Sequence, residues 1–191
     1  KPIVITEHTT IKGAIFNEDG KQLGKTFTQH INYHKGVGAS IKLNVEPHKS
    51  YSGSGASGLI NGISGSDKRY GDKEWLGFWG EDLEVTIDFG KEIIINEFET
   101  RCFVGNGQWI YMPKSAQVEV FDKDKKSIFD GSLEVFTINL ETRNTTKIST
   151  SLEEVKAQYL VLKFQNYGTI PDGKQGAGNK AWTFIDEIII N

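Results

Sequence analysis

Three features of the sequence predict an all-β protein built as a β-sandwich. Apolar residues recur at every second position, turn dipeptides punctuate the runs, and glycine is abundant. Leu83, Val85, Ile87 and Phe89 alternate with Glu84, Thr86 and Asp88, so that segment has one apolar and one polar face. Val118 and Val120 flank Glu119 in the same way. Residues 159–164 and 182–190 read as strands with one or both faces buried. The breaks are Asp19-Gly20, Asn61-Gly62, Asp130-Gly131 and Asp172-Gly173. In such pairs glycine supplies a positive φ and Asn or Asp bonds nearby backbone. The 21 glycines suit tight connections. Only residues 151–157 suggest a helix, of a turn or two, because Ser151 stands as a cap with Glu154 three positions on.

A domain boundary is expected near residues 34–38. Before it, residues 2–6, 10–16 and 26–31 read as a short N-terminal β-meander, with Asp19-Gly20 turning one connection. Three strands alone are a marginal unit. Residues 1–37 are therefore half of a further domain, or a ribbon docked on the main body. Residues 38–191 hold enough strands for a complete sandwich.

Bulk properties exclude several function classes. Hydrophobic residues make up 37% and charged residues 25%, which is too apolar for a disordered chain. With a net charge of −3 there is no basic excess to neutralise phosphates, so nucleic acid is not an expected partner. The apolar runs at 93–95 and 188–190 are far too short to span a bilayer, so no membrane insertion is expected. The single cysteine, Cys102, rules out an internal disulfide and reads as a small core residue rather than a reactive thiol. The lack of bridges fits a bacterial protein.

Catalytic motifs are wanting. Gly53-Ser54-Gly55-Ala56-Ser57-Gly58 spells GxGxxG, but Leu59-Ile60-Asn61-Gly62 follows it and cannot open a helix, so the run reads as a flexible surface loop. Asp186-Glu187 lies inside a strand, where neighbouring side chains point to opposite faces and cannot flank one glycosidic bond. A better role for one of them is to serve a metal or a loop. His8, His30, His34 and His48 match no zinc spacing, and no GxSxG is present. The chain is expected to be non-catalytic.

Two constellations remain. The loop over residues 59–67 is rich in oxygen donors, and Asn61, Ser64, Ser66 and Asp67 with Glu187 suit a hard cation such as calcium. The same residue types also make an ordinary Asx turn, the preferred reading on types alone. The four tryptophans lie in or beside glycine-rich connections: Trp75 and Trp79 within 70–82, Trp109 within 104–113, and Trp182 after 166–180. Loops gathered at one end of a sandwich would frame a site where sugar C–H faces stack on rings. Each ring is equally well read as a plug for the end of the core. Trp79, beside Gly80, Glu81 and Asp82, is the one expected to be most exposed. Arg101 joins Trp75, Trp79, Trp109 and Trp182 as a candidate carbohydrate-binding residue.

These residues carry a resemblance. Leu59-Ile60-Asn61-Gly62-Ile63-Ser64-Gly65, the run Trp75-Leu76-Gly77-Phe78-Trp79 and the strand ending Ile87-Asp88-Phe89-Gly90 resemble an F5/8 type C domain, also called discoidin-like or galactose-binding-like. The segments 109–113 and 176–188 are similar to its later parts. They resemble especially the versions appended to family 20 hexosaminidases, chitobiase-like proteins and some fucosidases. Residues 2–16 and 19–24 resemble the second half of a chitobiase C-terminal, Ig-like module, whose first half is not in the sequence. The resemblance implies a β-sandwich jelly roll, ligand capture by loops at one end, and a structural calcium ion held by Asn61, Ser64, Ser66 and Glu187. Asn61 stands where the family usually has Asp, which removes a formal charge but keeps an oxygen ligand. It also implies a monomeric glycan-binding module beside the catalytic domain of a bacterial periplasmic or extracellular glycoside hydrolase. A spacer that packs on that domain without binding sugar is the alternative.

Overall fold

The computed structural model describes residues 2–135 and 144–191. Among them, strands form two separate sheets. The first is a ribbon in which β1 (Thr9–Phe16) pairs antiparallel with β2 (Gln22–Ile31). Its turn is fixed by Asn17, whose Oδ1 accepts the Lys21 amide at 2.7 Å, and by Gly20 at φ 77°. The meander expected here lacks its third strand. Residues 2–6 form no ladder with either edge of the ribbon and are exposed apart from half-buried Ile5, so nothing holds them as a strand.

The second sheet holds β3 (Ser40–Leu43), β4 (Leu76–Trp79), β5 (Leu83–Phe103), β6 (Ser115–Phe121), β7 (Ser127–Ser132), β8 (Glu134–Val135), β9 (Thr145–Gln165) and β10 (Trp182–Ile190). β5 and β9 are each 21 residues long and pass through both layers of the molecule. The start of β5 pairs with the end of β9, Leu83 opposite Phe164, and the end of β5 with the start of β9, Phe103 opposite Thr145. Register breaks between Asp88 and Ile93 and between Ile95 and Glu97 let the two strands bend together. One layer is then β3, the start of β5, the end of β9, β6 and β7. The other is β4, β10, the end of β5, the start of β9 and β8. Val85, Val118 and Leu162 of the first layer share one buried cluster with Phe98, Ile148 and Ile188 of the second. This is a β-sandwich, as the alternating pattern predicts. Cys102 belongs to the same core, and burial pushes its thiol up.

Three local expectations fail for physical reasons. The helix over 151–157 does not form, because these residues lie in β9 and Ser151 and Val155 pair with Glu97 and Ile95. Glu153 and Glu154 take φ 48° and 61° at the bulge between them. Asp130-Gly131 is not a turn but part of β7, where Gly131 leaves room for the Phe129 ring. The turn is earlier, at Asp122, whose Oδ1 accepts the amides of Asp124 and Lys126, both at 2.9 Å. The glycine run at 53–58 leads into a short 3₁₀ turn over Ala56–Ile60. Its far end is no flexible surface loop, since Gly58, Leu59 and Ile60 are buried. Among the described residues no helix is long and apolar enough to cross a membrane.

The segment after the ribbon is stitched to the sandwich. The Asn32 amide donates to the Gly62 carbonyl at 2.7 Å, and the Lys35 amide to that of Ile190 at 2.9 Å.

Candidate functional site: an aromatic rim

The tryptophans divide into one core residue and three rim residues. Trp75 is fully buried, with Phe103, Ile110 and Phe184 around it. Its indole Nε1 donates to the Ser66 carbonyl at 3.1 Å. Gly65 lies against the ring so closely that a Cβ there would sit 2.4 Å from Nε1. Trp75 therefore has no face to offer a sugar, and its place in the candidate binding set is corrected to the core.

The other three come together from separate segments. Trp79 ends β4 and Trp182 begins β10, and the two are cross-strand partners with ring centres 4.6 Å apart. Trp109 follows a 3₁₀ turn over Asn106–Gln108 and takes φ 64°. The Trp182 amide donates to the Trp109 carbonyl at 2.8 Å, and the Tyr111 amide to that of Trp182 at 3.1 Å. This pairing brings the Trp109 ring to 6.1 Å from Trp79. Gly176, at φ 85°, lies under the Trp109 ring, where a Cβ would come within 2.3 Å. The loops 104–113 and 166–180 thus meet.

Exposure differs from the expectation in one respect. Trp109, at 36%, is the open ring, while Trp79 and Trp182 are half-buried. Trp79 has ring neighbours on both Trp109 and Trp182, and the Lys180 chain lies over the adjoining Gly80. Two residues missing from the candidate set adjoin the rim. Tyr51 and His48 meet Trp182 edge-on at 5.3 and 5.1 Å. His48 Nδ1 accepts the Ser50 amide at 3.2 Å, which leaves Nε2 to carry the proton of the neutral ring. No spacing rule marks either residue, because they reach the rim only through the fold.

Arg101, a candidate ligand contact, spends its guanidinium on the protein itself. Nη1 donates to Asp67 Oδ1 at 2.7 Å, Nη2 donates to the Gly65 carbonyl at 2.8 Å and to Asp186 Oδ2, and the guanidinium packs over Trp75 at 5.4 Å. Asp186 is wholly buried and also accepts the Gly65 amide at 2.9 Å. Burial pushes its carboxyl up to about 6, against the opposing pull of Arg101 and the Gly65 amide.

Three of the four residues assigned to calcium, Asn61, Ser66 and Glu187, have their side-chain oxygens bonded to N–H donors, which counts against that ion there. Glu187 is buried, its Oε1 accepting His34 Nε2 at 2.6 Å and the Gly62 amide at 2.7 Å, its Oε2 the Ile63 amide at 3.2 Å. His34 Nδ1 accepts the amides of Gly36 and Ile190 at 3.1 and 3.3 Å, so Nε2 is the donor in the neutral ring. Asn61 Oδ1 accepts the Ile63 amide at 2.8 Å, the Asx turn that residue types favour, and Ser66 Oγ accepts from Lys68 at 3.2 Å. The carbonyls of Gly62, Gly65, Ser66 and Asp67 all accept hydrogen bonds. A cation needs oxygens that face it, and here they face N–H donors. Among the described residues no group of three or more His, Cys, Asp or Glu side chains is placed to hold a metal.

No protein-family model and no curated protein matches the chain. Solved structures share its fold. A fucose binding module of Streptococcus pneumoniae superposes with a TM-score of 0.54 at 9% identity, over 83% of this chain and 94% of that one. The lectin domain of lectinolysin, solved with Lewis B antigen, gives 0.51 at 12% identity, over 83% and 96%.

Proposed function

We propose that the chain is a non-catalytic carbohydrate-binding module whose site is the rim of Trp79, Trp109 and Trp182. The observation that carries this is the convergence of three rings from three segments at one end of the sandwich, with Trp109 open. Aromatic faces pair with the apolar C–H faces of pyranose rings, and His48, Lys180 and Gln175 supply donors and acceptors close by. The shared fold with a fucose binding module and a lectin domain supports the same class of ligand. The rim is shallow, so affinity is of the order of micromolar to millimolar. Tethering to a catalytic domain then raises the local concentration of substrate.

The finer picture continues from that reading. The parent is a bacterial, chitobiase-like or family 20-type glycoside hydrolase acting in the periplasm or at the cell surface, and the module is a monomer. Residues 1–37 are part of a further Ig-like module. The ribbon supports this, for Ile15, Leu23 and Phe27 are 70, 51 and 59% exposed, and register puts them on one face. That face also favours the second reading, a spacer that packs on a neighbouring domain. A glycan array followed by calorimetry with fucose, galactose, N-acetylgalactosamine and N-acetylglucosamine separates the two. Binding that Trp109→Ala abolishes supports the module; a folded chain that binds no glycan leaves only the spacer.

A further inference from the structure

Away from the rim, the outer face of the first layer carries three cavities of about 330, 150 and 390 Å³. They adjoin one another. Thr86 lines the first and second, and Asn44 and Glu84 line the second and third. Together they make a track across the strands.

The register dictates what lines it. Asp88, Tyr159 and Phe121 are direct partners across β5, β9 and β6, and so stand in one row. Thr86, Val161 and Glu119 make the second row, and Glu84, Lys163 and Gln117 the third. The first row is an aromatic floor. Lys125, held at φ 59° in the turn between β6 and β7, brings its ammonium 5.7 Å from the Tyr159 ring centre. On the other side, Asp88 Oδ1 is fixed by the Gly90 amide at 2.7 Å. The Tyr159 hydroxyl accepts Gln158 Nε2 at 3.1 Å, so its own proton remains to be donated. A donor and an acceptor thus flank an aromatic floor in a cavity of pyranose size. Farther along, carboxylate and ammonium alternate, and Lys163 is bonded to Glu119.

We propose that this face is a second carbohydrate site, which takes the interior of a neutral glycan chain laid across the strands. Three cavities in line fit successive sugars, whereas the shallow rim fits a chain end. Carboxylates (Asp88, Glu84, Glu119) and ammoniums (Lys125, Lys163) are mixed along the track, so no strong excess of either sign draws an anionic or cationic glycan to it, and a neutral chain fits it best. The inference takes from the proposed function only the ligand class, and its residues are distinct from the rim.

The test is isothermal titration of the chain with cellohexaose, mannohexaose and laminarihexaose, beside the monosaccharides that probe the rim. At least one hexasaccharide should bind. Trp109→Ala should retain that binding, while Tyr159→Ala and Asp88→Asn should weaken it at least about tenfold. Asparagine keeps an Oδ1 for the Gly90 amide, so Asp88→Asn decides the matter if Tyr159→Ala does not fold. Hexasaccharide binding unchanged in folded Asp88→Asn, lost in Trp109→Ala, or absent throughout overturns the proposal. Monosaccharide binding that survives such a result leaves the rim standing; hexasaccharide binding without it leaves only the face.

Discussion

The loop over residues 61–67 and the tryptophan rim both rest on β10, yet they treat polar and apolar groups in opposite ways. Along the strand, Trp182 keeps its ring half-open beside Trp79 and Trp109, while Asp186 and Glu187 are buried. At the loop, ionisable side chains are spent inward on Arg101, His34 and backbone amides. At the rim, aromatic surface is left outward where a core would have covered it. The first arrangement fixes the loop to the sandwich. The second leaves area for a partner. Interior polarity that is fully hydrogen-bonded serves structure, and exposed aromatic surface backed by rigid elements serves binding.

The largest effect that separates the two regions belongs to Glu187. Glu187→Ala would leave the His34 ring and the amides of Gly62 and Ile63 without their acceptor. It should lower stability by about 3–5 kcal/mol in urea denaturation. A cost typical of a surface site, below about 0.5 kcal/mol, would break the contrast. Next comes Arg101→Lys, which keeps the charge but loses the fork between Asp67, Asp186 and the Gly65 carbonyl. About 1–3 kcal/mol of stability should go, with glycan binding unchanged in the variant that remains folded. Loss of binding alone would return Arg101 to the ligand site.

A smaller effect is expected under the rim. Gly176→Ala puts a Cβ at φ 85° and against the Trp109 ring. Roughly 1–2 kcal/mol of stability should be lost, and glycan affinity should fall because Trp109 must shift. Unchanged affinity would mean that the position of Trp109 does not matter. The smallest effect is that of a chelator. Oxygens already satisfied by N–H donors at Asn61, Ser66 and Glu187 predict a melting temperature that EDTA leaves within about 1 °C. A clear drop would restore calcium to the loop.

Much of the fold was legible because burial on one face imposes a period of two. β10 spans the predicted residues 182–190, and the alternation at 83–89 opens β5. The alternating stretch at 98–103 that holds Cys102 is the end of the same strand, but its continuity with 83–89 was not legible. The register break after Asp88 resets which face is apolar, so the pattern does not run on. The short capping signal at Ser151 lost to a long ladder with β5, a tertiary effect that local spacing does not carry. At the rim, glycine-rich surroundings pointed to all four tryptophans alike and could not tell Trp75, a core residue, from the three that meet there. Nor could spacing find the bond between His34 and Glu187, which lie 153 positions apart.

Calorimetric titration of folded wild-type chain and folded Trp109→Ala with the glycan that scores highest on an array tests the rim most directly. Wild type should bind with micromolar to millimolar affinity, and Trp109→Ala should lose at least about tenfold while its unfolding midpoint moves little. Equal affinity in the two proteins, or no glycan bound by either, would contradict a sugar site at Trp79, Trp109 and Trp182.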